Sequence, residues 1–171
     1  MADNNPMQEI RLGKVVLNIG TEGPGERLEK AKGLLEELTG KEAKITKARR
    51  RIAFGLSKGR DIGAMVTLRD EDAEEFLERV LVAKEHKIRK EAIDNQGNFS
   101  IGLEEHIDLP DTDYDPDLGI FGMDIAVTLQ RPGFRIKKKK ISKKIGKNHK
   151  ITKEDTIDFL KNRFDVEVIG D

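Results

Sequence analysis

The chain has no cysteine. That removes disulfides, thiolate nucleophiles and zinc–thiolate centres together. It has no tryptophan and one tyrosine, Tyr114. No apolar run approaches the roughly 20 residues needed to span a bilayer. The opening stretch, Met1 to Pro6, is polar and carries no apolar signal segment. These absences imply a soluble, cytoplasmic protein with no membrane partner.

Catalytic and ligand-binding motifs are missing too. His86, His106 and His149 stand far apart, none with a partner at metal-ligand or triad spacing, so each reads as a surface or cap residue. A nucleotide loop needs Ser or Thr after Gly-Lys to reach magnesium, but Gly40-Lys41 is followed by Glu42. Gly20, Gly23 and Gly25 have the wrong spacing for a dinucleotide fingerprint. Asp111, Asp113 and Asp115 alternate as a calcium loop begins. The Gly and Glu that such a loop needs at its sixth and twelfth positions are Pro116 and Gly122 here, so a solvated acidic loop is expected. Asn98-Phe-Ser100 matches a glycosylation pattern without an export signal. Glu104 and Glu105 are neighbours on an expected strand and would point to opposite faces. Nothing assembles an acid, a base and a nucleophile. The expectation is no enzyme, no cofactor, no metal and no small-molecule substrate.

What the chain has in quantity is charge, 37% of residues against the usual quarter, with only 36% apolar. The 32 basic and 32 acidic side chains cancel but are not mixed. Residues 41–60 hold eight basic side chains (Lys41, Lys44, Lys47, Arg49, Arg50, Arg51, Lys58, Arg60) and one acid, Glu42. Residues 131–150 hold ten basic side chains and no acid. Residues 70–78 and 104–124 are the reverse, with six and eight acids and no Lys or Arg. A solvated charge run is the ordinary reading of a single cluster. Two acid-poor clusters in a balanced chain point instead to phosphate binding with counterion release. The acidic segments should then face away from the nucleic acid.

The 171 residues suit one domain, 1–171, that buries roughly 70% of the surface of its unfolded chain. Residues 14–20 read as a strand. Leu28, Ala31, Leu34, Leu35 and Leu38 follow at helical spacing, with Gly40 as C-cap. Residues 43–54 and 62–69 form a hairpin with a long tip, Phe54 to Asp61, and Arg49 and Arg51 would share one strand face. Asp70 is the expected N-cap of a helix carrying Ala73, Phe76, Leu77, Val80 and Leu81. Residues 87–97 read as a polar stretch ending in a loop, with strands near 98–104 and 122–130. Thr152 with Asp155 suggests a capping box for a third helix, and 166–169 a short strand. The fold class is α+β: a mainly antiparallel sheet, helices on one face, a long protruding hairpin loop, and a basic insertion at 131–150. The tip, with Phe54 and Leu56 between Gly55 and Gly59 and flanked by Lys58 and Arg60, fits an RNA-probing finger and a core-anchored turn equally well.

Several strings carry a resemblance. They are Asn5-Pro-Met-x-Glu-Ile-Arg-Leu-x-Lys-Val-Val-Leu-Asn-Ile-Gly20, Thr46-Lys-Ala-Arg49, Asp61-Ile-Gly-Ala-Met-Val-Thr-Leu-Arg69, Gly97-Asn-Phe-Ser-Ile-Gly102 and Gly122-Met-Asp124. In this order they resemble the L-five family of large-subunit ribosomal proteins. Val127-Thr-Leu-Gln-Arg-Pro-Gly-Phe-Arg135 and Phe164-Asp-Val-Glu-Val168 resemble its archaeal and eukaryotic branch. The resemblance implies a structural ribosomal protein that binds 5S rRNA and attaches it to the large subunit in the central protuberance. Implied partners are 5S rRNA, large-subunit rRNA, P-site tRNA and neighbouring 5S-binding ribosomal proteins. By motif match, Asn18, Thr46, Lys47, Thr67 and Arg69 belong to the 5S-binding side. Residues of the tip, Phe54, Gly55, Leu56, Ser57, Lys58, Gly59 and Arg60, would face tRNA. The basic residues Lys41, Lys44, Arg49, Arg51, Arg131, Arg135, Lys137, Lys138, Lys139 and Lys140 would add rRNA contacts. Where the family has Thr-Gly-Gln-x-Pro-Val, this chain has Thr39-Gly-Lys-Glu-Ala-Lys44, so Lys41 and Lys44 would replace the Gln contact.

Overall fold

Alternation along the first strand decides which way the sheet faces. In β1 (Arg11–Gly20) the side chains of Val15, Leu17 and Ile19 are buried, while Lys14, Val16 and Asn18 on the other face are not. A computed structural model describes residues 5–21, 23–51, 57–110, 112 and 114–170. In it β1 is the central strand of a five-stranded sheet, flanked by β3 (Asp61–Leu68) and β6 (Met123–Gln130). The edges are β2 (Lys44–Lys47) and β5 (Asn98–Leu103), giving the order β2-β3-β1-β6-β5 with every pairing antiparallel. The architecture is α+β, as the element pattern implies.

Four of the five strands send alternate residues to one apolar side, and the short edge strand β2 buries none. Ala64, Val66 and Leu68 of β3, Ile125, Val127 and Leu129 of β6, and Phe99, Ile101 and Leu103 of β5 are all buried there. Helices cover that side. α1 (Glu26–Thr39) packs against β3 with Leu28, Ala31, Leu34 and Leu35, and α2 (Asp70–Ala83) against β1 with Ala73, Phe76, Leu77, Val80 and Leu81. Leu160 and Phe164 of α3 (Lys153–Phe164) join the same cluster. Truncating a fully buried member such as Leu17 or Leu35 to Ala costs about 2–5 kcal/mol.

The helix ends follow local chemistry. Gly40 closes α1 in the left-handed conformation (φ 62°) and donates its N–H to Glu36 O at 2.8 Å. Thr152 and Asp155 form the expected reciprocal box on α3. The Asp155 N–H donates to Thr152 Oγ1 at 3.2 Å, and the Thr152 N–H donates to Asp155 Oδ2 at 2.9 Å. At α2 the expectation shifts by one residue. The chain leaves β3 still extended, so Arg69 takes the cap position (φ −144°). Asp70 becomes the first helical residue at φ +54°, a conformation that Asp tolerates, with no side-chain cap bond.

Three further segments differ from their sequence patterns. The strand expected over 43–54 stops at Lys47, after a register irregularity beside Thr46, although backbone bonds from Ala48 to Arg60 O and from Gly59 to Ala48 O extend the hairpin by one rung. Arg49, Arg50 and Arg51 offer no apolar residue to bury, so they leave the sheet and all three are exposed. The stretch 87–97 contains a strand, β4 (Lys87–Arg89), which pairs in parallel with β7 (Glu167–Ile169); Ile88 opposite Val168 supplies the buried contact. Glu104 falls just beyond β5, and both it and Glu105 are exposed.

Candidate nucleic-acid interface

The side of the sheet away from the helices is uncovered. Strand pairing arranges its residues in rows. One row runs Lys44, Met65, Asn18, Asp124, Gly102, and the next runs Thr67, Val16, Ala126, Ser100. Thr46 and Gly63 pair in the row beyond Lys44, and Thr128 pairs with Asn98 beyond Ser100. Directly opposed residues of an antiparallel pair point to the same face, so this face is a plane of small, mostly uncharged side chains. Gly63 keeps it flat: a Cβ there would lie 2.5 Å from Ile19 O and 3.1 Å from Thr46 Oγ1. Only glycine lets β1 and β3 close at this point.

Of the five residues that motif match assigns to the 5S side, all but Lys47 meet here. Asn18, Lys44, Thr46 and Thr67 share the plane, and Arg69 continues the alternation of β3 beyond Thr67 at an exposed position. Lys47 stands at the margin with its Nζ 3.8 Å from Asp61 Oδ1. Lys41 is drawn away, 2.9 Å from Asp72 on α2, towards the helices. The neighbours Val16, Met65, Ser100, Gly102 and Ala126 carry no charge signal. They are found only by continuing the period-two alternation across the pairing register.

The acidic segments lie mainly on the other side. Asp72 belongs to α2, and so does Glu74, which pairs with Arg163 of α3 at 2.9 Å. Asp124 breaks that expectation. It ends the acidic stretch 104–124 yet sits on the open plane opposite Asn18, because Met123 and Ile125 beside it are taken by the core.

Beyond the plane, Ser57, Lys58, Gly59 and Arg60 are exposed at the base of the hairpin tip. Phe54, Gly55 and Leu56 lie outside the described residues. In the segment 131–150, Arg135 and Lys137 to Lys140 are exposed around a short 3-10 turn, Phe134–Lys138. Arg131 is turned inward, its side chain 11% exposed and its guanidinium 3.2 Å from Asp155.

The histidines divide. His86 and His149 bond main-chain carbonyls, Phe164 O at 3.1 Å and Pro132 O at 2.8 Å. His106 is not a surface residue. It is buried, and its Nδ1 accepts the Phe121 N–H at 3.3 Å while its own N–H donates to Phe121 O at 3.0 Å, clipping the acidic loop shut at its ends. Among the described residues no group of three or more His, Asp or Glu is placed to hold a metal ion. Among the described residues no helix is long and apolar enough to cross a membrane.

Comparison with known proteins supplies the assignment. Residues 5–56 match the family model for ribosomal protein L5, and residues 61–159 match the model for the C-terminal part of the ribosomal L5 family. The large ribosomal subunit protein uL5 of Sulfurisphaera tokodaii is 49% identical over 168 residues, covering 96% of this chain and 95% of that protein. The uL5 of Archaeoglobus fulgidus is 49% identical over 162 residues, 94% of this chain and 90% of its own. That of Methanococcoides burtonii is 47% identical over 167 residues, 96% and 99%. The chain belongs to the ribosomal protein L5 family. The two family segments are not separate layers in the L5 chain. Strands β1 and β2 come from the first and β3, β5 and β6 from the second, so the open plane exists only when both are folded together.

Proposed function

We propose that this chain binds 5S rRNA through the open face of its sheet and attaches it to the large ribosomal subunit, of which it is a structural, non-enzymatic constituent in the cytoplasm. One observation carries the reading. A plane rich in Gly, Ala, Ser, Thr and Asn, with Val16, Met65 and Asp124 among them, lies open on the sheet, with Lys44 in it and Arg69 at its border. Small side chains let a sugar–phosphate backbone approach closely. Hydroxyls and amides can exchange hydrogen bonds with 2′-hydroxyls, which distinguish RNA from DNA. Asp124 adds an acceptor opposite Asn18 that suits a 2′-hydroxyl or base amino group and repels phosphate. The plane therefore selects a register, and the peripheral lysines and arginines add affinity.

In the same reading the exposed residues 57–60 and the tip beyond them face P-site tRNA. Arg135 and Lys137 to Lys140 touch large-subunit rRNA, and neighbouring 5S-binding proteins complete the assembly. The test is 5S rRNA binding across a salt series, where each neutralised phosphate contributes about 0.9 log units of slope for duplex. Replacing Thr67 and Arg69 together with Ala should weaken binding more than replacing two lysines of 137–140. Equal losses, or equal affinity for an unrelated RNA of the same length, would refute a defined 5S surface.

A further inference from the structure

The basic segment 131–150 encloses a concave pocket of about 670 Å³ against the turn 94–97, within the range of roughly 300–1,000 Å³ typical of small-ligand sites. Its floor is apolar, formed by Phe134, Ile145 and Ile151. Its rim is Lys137, Lys143, Lys144, Lys147 and Lys150, all exposed. Asn95 and Gln96 line it with amides, and no carboxylate does. Of the four-lysine run, only Lys137 reaches the pocket.

The walls are held from several sides. Arg131 donates to Lys150 O at 3.2 Å and pairs with Asp155, joining the two ends of the segment. His149 meets the Phe134 ring edge-on at 5.5 Å between centroids and bonds Pro132 O. The Lys143 N–H donates to Ile136 O at 3.2 Å across the loop. Opposite, the Asp94 carboxylate accepts the backbone N–H groups of Gln96 and Asn98 at 2.7 and 2.8 Å, which sets the turn that presents Asn95 and Gln96.

A phosphate or an acidic peptide would use the ammonium rim and leave the apolar floor exposed. An acyl chain would use the floor and leave the amides and lysines idle. A nucleotide uses all three. We propose that this pocket takes one unstacked nucleobase of single-stranded rRNA, the base resting on Phe134, Ile145 and Ile151, its edge read by Asn95 and Gln96, and its flanking phosphates held by the lysines. Unstacked bases on aromatic and apolar platforms are the usual means of reading single-stranded RNA. The proposal rests on the rRNA-binding reading above and adds a specific nucleotide site to it.

The test uses the full chain and two short single-stranded RNAs of equal length and charge. One carries 2-aminopurine at a central position and the other is abasic there. The fluorescent base should change its emission on binding, and the intact RNA should bind roughly tenfold more tightly than the abasic one, the scale of one stacked base. Phe134→Leu keeps most of the packing volume and removes the ring, and should erase most of that difference. Ser142→Trp, which fills the pocket from its wall, should do the same if the first variant melts early. Equal affinity for the intact and abasic RNAs overturns the proposal, leaving only a lysine rim. So does an acidic peptide of equal charge that displaces the RNA at the same concentration, which would indicate a protein occupant. 5S rRNA binding is measured in parallel. If it stands while the base preference is absent, only the pocket proposal fails. If it is absent while the base preference persists, the wider reading fails and the pocket stands.

Discussion

Arg131 and Asp155 form a joint between the basic segment and the third helix. The guanidinium stands 3.2 Å from Asp155 Oδ2, the same oxygen that accepts the Thr152 N–H at the start of α3. One carboxylate therefore caps a helix and holds an arginine whose other nitrogen grips Lys150 O. Arg131→Ala should lower stability by about 2 kcal/mol, the scale of a hydrogen bond to a charged group, and speed tryptic cleavage within 137–144. Arg131→Lys should restore little, because one ammonium cannot span both partners as the guanidinium fork does. Denaturant melts and timed proteolysis check both points.

Gly63 should tolerate no side chain. With a Cβ 2.5 Å from Ile19 O, Gly63→Ala must push β1 and β3 apart. The expected loss is about 2–3 kcal/mol by overpacking against backbone. RNA affinity should fall with it, since the plane is built on that pairing. A variant of unchanged melting temperature would contradict the account.

The open plane should be separable from stability. Ala126 is exposed at its centre, between Val16 and Ser100. Ala126→Glu places a second carboxylate near Asp124 and should reduce 5S rRNA affinity at least tenfold in filter binding, with the melting temperature changed little. Glu78→Lys, on the exposed side of α2, should leave affinity nearly unchanged. Similar effects from both would mean that net charge alone governs binding.

Asp94 gives a pH signature. Burial pushes its carboxyl up. Hydrogen bonds from the Asn98 side chain and from the Asn98 and Gln96 N–H groups outweigh this and hold it below its ordinary value of 3.8. A depressed folded value means that its contribution is complete above 3.8 and is lost as pH falls through the lower folded value. Asp94→Asn should therefore be less stable at pH 7 and show a shallower acid decline below pH 3.8. Acid titration followed by the Gln96 and Asn98 amide resonances checks it.

The elements with strong periodicity were legible in the amino-acid pattern. The β-branched run 14–20 marks β1 as a strand, and the spacing of Leu28, Ala31, Leu34 and Leu35 gives the buried face of α1, because burial writes itself into spacing. Gly40 and the Thr152–Asp155 pair were legible because capping needs particular residues at fixed offsets. β4 and β7 were harder to see as partners. Each is three residues long, and only their parallel pairing across the chain makes either a sheet. His106 misled for a similar reason: its partner is a main-chain N–H fifteen residues away, which leaves no trace in side-chain spacing. At the candidate interface, charge pointed to Lys44, and the family resemblance to Asn18, Thr46, Thr67 and Arg69. The plane itself, Val16, Ser100 and Ala126, emerges only from register, which composition does not encode.

The strand order also sets a timetable. β1 is made first but lies between β3 and β6, so its second neighbour ends at Gln130. A chain emerging during synthesis holds its first strand with one edge unpaired until about three-quarters of its length is out. Such non-local closure slows folding and leaves β edges open to wrong partners. It also means that no fragment ending before β6 carries the complete open plane. A prematurely terminated chain therefore lacks β6, and with it the strand that completes the open plane beside β1.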